Sequence, residues 1–161
     1  MIIIIMGVSG SGKTTFGQSL AEKMQISYYE ADSFHPETNI KKMSNGIALN
    51  DEDRWPWLGK IHEKIVDLQK NNSPAVFTCS ALKESYRTFL NQGLIEPLNW
   101  VYLKGGYQLI HDRIAARNEH FFKPEMLKTQ FQDLEEPEYG ITLNIENSIE
   151  NNIDLFLQQS Q

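Results

Sequence analysis

The chain has 161 residues, 40% of them hydrophobic and 22% charged, with 15 Lys plus Arg against 21 Asp plus Glu for a formal net charge of −6. That length and apolar content suit one folded domain that needs no covalent staple, and they exclude a disordered chain. An acidic balance without a long basic run argues against binding nucleic acid, and a lone cysteine, Cys79, rules out an intramolecular disulfide and fits a reducing, cytoplasmic setting.

Taken in chain order, the first apolar run, Ile2 to Met6, is far shorter than a membrane span and has no basic flank or cleavage region. It reads as a buried strand, with no membrane attachment expected. Directly after it comes Gly7-Val8-Ser9-Gly10-Ser11-Gly12-Lys13-Thr14, a Gly, four residues, Gly-Lys and a hydroxyl residue. Such a loop turns backbone N–H groups inward around phosphates, Lys13 can neutralise the β- and γ-phosphate charge, and the Thr14 hydroxyl can ligate Mg²⁺. A Gly-rich turn arising by chance would not also need a strand before it and, after it, a helix with Phe16, Leu20 and Met24 on one face.

Further strands are expected at Ser27 to Glu30, Ala75 to Cys79, Trp100 to Leu103 and Thr142 to Ile145. Helical spacing joins Leu58, Ile61, Ile65 and Leu68, then Ile110 and Ile114, then Ile153, Phe156 and Leu157. Strands alternating with helices predict an α/β fold with a parallel sheet covered on both faces, whose ligands sit beyond the carboxyl ends of the strands. Two stretches exceed what a crossover needs, Asp32 to Asp53 and Arg113 to Pro137, and each is a candidate binding loop or lid. One domain over 1–161 is expected, with an acceptor region about 32–70 and a lid about 113–137.

The third strand ends without the acid that a motor ATPase carries there, and the guanine signature of GTPases is absent. Strand two instead leads into Glu30-Ala31-Asp32-Ser33-Phe34-His35-Pro36, carboxylates facing the same crevice as the phosphate loop. With Asn39-Ile40-Lys41-Lys42-Met43, Leu49-Asn50-Asp51-Glu52-Asp53-Arg54, Pro56-Trp57-Leu58, Cys79-Ser80-Ala81-Leu82-Lys83, Tyr86-Arg87 and His120-Phe121-Phe122, the chain resembles the gluconokinases over nearly its whole length. The resemblance implies the P-loop fold of shikimate and nucleoside monophosphate kinases, a five-stranded parallel sheet flanked by helices with a lid, ATP and Mg²⁺ as cosubstrates, gluconate as acceptor, and often a homodimer.

On that basis Gly7, Val8, Ser9, Gly10, Ser11, Gly12, Lys13 and Thr14 are expected to hold ATP, and Thr14 and Asp32 the metal. Asp32 is the candidate base for the attacking hydroxyl. Glu30 stands where such kinases usually carry Asp, which lengthens the arm. His35 is a candidate donor to the acceptor, and Arg54 suits a substrate carboxylate because its planar guanidinium donates in pairs. Ser80, Lys83 and Arg87 follow the third strand into the crevice, Lys83 and Arg87 sharing one helical face. Arg113 and Arg117 are expected over the nucleotide, Arg113 acting with Lys13 on the charge of the transferring phosphoryl group. Asp51, Glu52 and Asp53 read as a helix start, Cys79 as a small buried hydrophobe, and Trp55 and Trp57 as packing residues. A related P-loop kinase for shikimate or another small polyol acid and a nonenzymatic ATP-binding sensor remain the alternatives.

Overall fold

A computed structural model of the chain describes residues 1–117 and 124–160. Its five strands are β1 (Ile2–Met6), β2 (Ser27–Glu30), β3 (Ala75–Thr78), β4 (Asn99–Lys104) and β5 (Ile141–Asn144). They form one sheet in the order β2-β3-β1-β4-β5, with every neighbouring pair parallel. The five expected strands are all found, their ends shifted by one residue at β3, β4 and β5, where the apolar run outlasts the ladder or falls short of it.

Strand β1 shows why the sheet is sandwiched. Side chains alternate across a strand, so Ile2, Ile4 and Met6 face one side and Ile3 and Ile5 the other, and all five are fully buried. On the first side they join Trp57, Leu58, Ile61 and Ile65 of α3 (Asp51–Lys70) and Tyr86 and Leu90 of α4 (Glu84–Asn91). Against the second side pack Phe16 and Leu20 of α1 (Lys13–Met24), Ile110 of α5 (Tyr107–Ala116), and Ile153 and Phe156 of α7 (Ile149–Gln159). A polar substitution anywhere in β1 would therefore strand a polar group between two apolar layers.

The connections from β1 and β3 run to opposite sides of the sheet, β1 leading out to β2 and β3 leading across β1 to β4. Such a divergence opens a crevice at the carboxyl ends of the central strands. Neither long stretch is plain loop. Residues 32–53 hold a short 3-10 turn, Ala31–Phe34, and α2 (Glu37–Ser44), and α6 (Pro124–Asp133) occupies the later half of the second. The expected lid residues His120, Phe121 and Phe122 lie outside the described residues.

Truncating Ile4, fully buried in contact with both neighbouring strands, should cost about 3 kcal/mol of folding free energy through lost burial and the cavity left behind. Urea unfolding of Ile4→Ala should show the midpoint falling with the denaturant slope unchanged; a midpoint equal to the parent's would mean that β1 does not carry the core.

Candidate active site

The phosphate loop turns because its glycines take backbone conformations closed to other residues. Gly10 and Gly12 sit at φ +79 and +91. A Cβ at Gly10 would lie 2.6 Å from Ile114 of α5, whereas one at Gly12 would meet nothing within 4 Å, so the loop backs onto α5 and is open at the start of α1. Lys13 opens α1, and its Nζ donates back to the Val8 carbonyl at 2.9 Å. Burial lowers the Lys13 pKa, outweighing the upward pull of Asp32, Cys79 and Glu30.

The carboxylates of Asp32 and Glu30 come from the end of β2. Glu30 is held on both oxygens: Oε2 accepts from the Thr14 hydroxyl at 2.8 Å and from Tyr28 at 2.6 Å, and Oε1 accepts from Thr78 at 2.6 Å. Its strand partner is Thr78, so the residue standing where an acid was missing from β3 positions the acid supplied by β2. Burial and the Glu30 carboxylate push the Tyr28 phenol up to about 12, which keeps it a donor. The sequence left Glu30 without a firm role; the structure makes it the direct partner of Thr14.

Asp32, on the 3-10 turn, is strongly exposed at 80%. Behind it His35 is buried, stacked on Trp57 at 4.4 Å between ring centroids, with Asn39 Nδ2 3.2 Å from its Nδ1. An amide donor on Nδ1 leaves the ring proton on Nε2, which faces Asp32 Oδ1 at 3.9 Å, beyond hydrogen-bond range. Burial lowers the His35 pKa against the upward pull of Asp32, with a smaller push from the Arg54 charge, and so favours the neutral ring at pH 7. The His35 ring lies behind Asp32, packed flat on Trp57, with Nε2 turned to the Asp32 side.

Beside these groups a cavity of about 510 Å³ is lined by Leu49, Asn50, Asp51, Glu52, Arg54, Lys83 and Asp133. Arg54 Nη1 donates to Tyr86 at 2.8 Å and lies 3.7 Å from Asp133 and 3.8 Å from Asp51. Lys83 donates to Asp51 at 3.2 Å, and the Tyr86 hydroxyl donates to the same carboxylate. These contacts hold the Asp51 carboxyl below the usual range and raise Lys83. Asp53 and Asn50 form the expected helix start as a reciprocal cap, but Asp51, read as part of it, belongs to the cavity. No sequence signal separated it from Asp53, two residues on.

Arg87 is a correction. Its guanidinium is buried and all five N–H donors are used within the protein: on the Ala81, Leu82 and Glu135 carbonyls, the Glu84 carboxylate and the Tyr139 hydroxyl. It braces a loop in which Ala81 takes a left-handed φ of +41, and so holds Lys83 in place instead of meeting a substrate. Ser80 accepts a long backbone contact from Gly7 N at 3.4 Å, tying this loop to the phosphate cradle. Arg113 donates to the Ile145 carbonyl at 2.9 Å beyond β5, and Arg117 is exposed at the end of α5. Cys79 is buried with its thiol pushed up to about 12, an unreactive form. Trp57 is buried and donates to the Ala31 carbonyl, whereas Trp55 stays partly exposed with its ring edge-on to Tyr86.

Among families, one described as an AAA domain matches residues 3–138. The thermoresistant gluconokinase of Escherichia coli (strain K12) is 43% identical over 137 residues, covering 84% of this chain and 77% of that protein. A crystal structure of a gluconokinase from Sinorhizobium meliloti 1021 superposes with a TM-score of 0.87 at 37% identity over 97% of this chain and 89% of that one. Shikimate kinase from Aquifex aeolicus vf5, at 16% identity and a TM-score of 0.54 over 99% of this chain and 96% of that one, shares the fold.

Removing the Arg87 charge should behave as a structural lesion. Arg87→Met would leave the Ala81 and Glu135 carbonyls without this donor and cost at least about 2 kcal/mol. Thermal unfolding should register the loss; full stability with a selectively raised Michaelis constant for an acid acceptor would restore Arg87 to the substrate site.

Proposed function

This chain belongs to the gluconokinase family, and from that premise we propose that it transfers the γ-phosphate of ATP to the terminal hydroxyl of D-gluconate, giving 6-phospho-D-gluconate. One observation carries the reading beyond the relatives: a phosphate cradle, a pair of acids at the end of β2 and a cavity lined by Arg54 and Lys83 all open at the carboxyl ends of the central strands.

The division of labour follows from the positions. Within the loop of residues 7–14, the N–H groups of Gly10, Gly12, Lys13 and Thr14, which the fold does not itself use among the described residues, and the Lys13 ammonium would receive the nucleotide phosphates. Thr14, aligned by Glu30, and the exposed Asp32 form a hard-oxygen set suited to Mg²⁺, which when bound supplies positive charge against the phosphate oxygens. Asp32 would accept the proton of the attacking hydroxyl, with the neutral His35 ring behind it resisting displacement. Arg54 and Lys83 would receive the acid end of the acceptor, and the Asp51 and Asp133 carboxylates at the cavity wall suit hydrogen bonds from its hydroxyls. Arg113 and Arg117, on the helix that backs the phosphate loop, would approach the nucleotide from the other side.

A region of about 32–70 for the acceptor and 113–137 for the lid is consistent with these assignments. Among the described residues no helix is long and apolar enough to cross a membrane. A cytoplasmic location accords with the unpaired, buried Cys79.

Coupled ADP release with Mg·ATP and a panel of gluconate, shikimate, glucose and AMP tests the reading, and turnover is expected with gluconate. Turnover confined to another acceptor would remove the substrate assignment. Asp32→Asn should lower kcat about 10²- to 10⁴-fold while ATP binding stays within about twofold. Arg54→Ala should raise KM for gluconate about 10- to 100-fold and leave that for ATP near its starting value; equal rises in both would make Arg54 structural.

A further inference from the structure

Helix α6 falls within the stretch expected as a lid, and it touches both halves of the site. Gln130 grips Ser9 twice across 121 positions of sequence: its Oε1 accepts from the Ser9 backbone N–H at 2.7 Å, and its Nε2 donates to the Ser9 hydroxyl at 2.9 Å. One helical turn later Asp133 faces Arg54 at 3.7 Å and lines the acceptor cavity. The same helix thus contacts the donor loop and the acceptor arginine.

The helix is anchored at both of its working points. Leu127 is fully buried in the layer formed with Phe16 and Ile110. Just past the helix, Glu135 N–H donates to the Leu82 carbonyl at 2.9 Å, the Glu135 carboxylate accepts from Glu84 N–H at 2.6 Å, and the Glu135 carbonyl accepts from Arg87 at 2.8 Å. Its carboxyl end is therefore stapled to the loop that presents Lys83. The Asp133 separation exceeds a hydrogen bond, so it aims the guanidinium without sealing it. The same Nη1 of Arg54 donates a true hydrogen bond to Tyr86.

We propose that α6 sets the spacing between the two substrates, with Gln130 a positioning residue for the phosphate cradle through Ser9 and Asp133 a positioning residue for the acceptor through Arg54. Phosphoryl transfer has little covalent chemistry for the protein to perform, so its rate rests on holding donor and acceptor within a few tenths of an ångström of the reacting geometry. One helix that contacts both sites ties them to a common frame. The assignment of Asp133 rests on the gluconate kinase reading; that of Gln130 rests only on nucleotide binding.

The test combines direct Mg·ATP titration by calorimetry with steady-state kinetics on gluconate for Gln130→Ala, Asp133→Ala and Ser9→Ala, each checked by thermal unfolding. Gln130→Ala should weaken ATP binding severalfold and lower kcat about 10- to 100-fold, the loss expected for a misplacement near 1 Å, with KM for gluconate within about twofold. Asp133→Ala should raise KM for gluconate and lower kcat with ATP affinity unchanged. Because Gln130 acts through Ser9, its removal should cost less in the Ser9→Ala background than in the parent. Should Gln130→Ala fail to fold, Gln130→Met keeps the length and packing while deleting both contacts.

Parent-like ATP affinity and kcat in the Gln130 variants would overturn the inference while leaving the function intact. Tighter ATP binding in Gln130→Ala, or tighter gluconate binding in Asp133→Ala, would also overturn it, since those residues would then compete with the substrates. An inert parent with gluconate would instead overturn the function, and the ATP titrations would still decide the role of Gln130.

Discussion

The Glu30 carboxylate is the joint on which the candidate site depends. It is bonded at once to the first turn of α1 through Thr14, to its own strand through Tyr28, and to β3 through Thr78. These contacts fix the angle at which the phosphate loop leaves the sheet. In many P-loop proteins the acid that supports the metal stands on the strand next to the loop. Here that strand ends in Thr78, and the parallel register of β2 and β3 places Glu30 directly beside it. A hydroxyl and a longer acid from the next strand thus occupy the position together. A glutamate suits this geometry better than an aspartate, since its extra methylene lets one carboxylate reach three hydroxyls.

The acceptor cavity raises a question of charge. Both of its cations are already partnered, Lys83 by Asp51, and Arg54 by Tyr86 with Asp51 and Asp133 nearby. An incoming carboxylate must share these groups with the acids that hold them, which reduces the net gain from binding the ground state. Catalysis loses nothing by this, because only interactions stronger in the transition state accelerate the reaction. The preset contacts also spare the entropy of ordering two long side chains when the acceptor arrives.

How much of this could be read beforehand depends on whether the information is local. The phosphate loop was legible because its constraint is local: glycines at fixed spacing, a lysine and a hydroxyl, between a strand and a helix. Strand β1 was legible because burial on both faces leaves an unbroken apolar run. Arg87 was not, because an arginine four residues from a lysine looks like a solvated helix face, and only the tertiary fold brings five acceptors around one guanidinium. Asp51 and Asp53 show the same limit. Both open the same helix, yet Asp53 turns back to cap Asn50 and pair with Lys42 while Asp51 turns to Lys83 and Tyr86. Gln130 carries no local signal at all, its partner lying 121 residues away.

Arg87 and His35, both expected at the substrate, share a physical pattern: their side chains are buried and held by the protein, Arg87 on carbonyls of the Lys83 loop and His35 against Trp57 and, at Nδ1, Asn39. Each stands directly behind an exposed or half-exposed group that remains a candidate for contact with substrate: Lys83 in one case, Asp32 in the other. Exposed side chains on short loops lose conformational freedom when they bind, and a satisfied buried partner pays much of that cost during folding. The residues that a motif places at the chemistry therefore divide into exposed groups free to meet a substrate and groups that keep the first kind still, and burial against the protein marks the second kind, most fully at Arg87 with its complete hydrogen bonding.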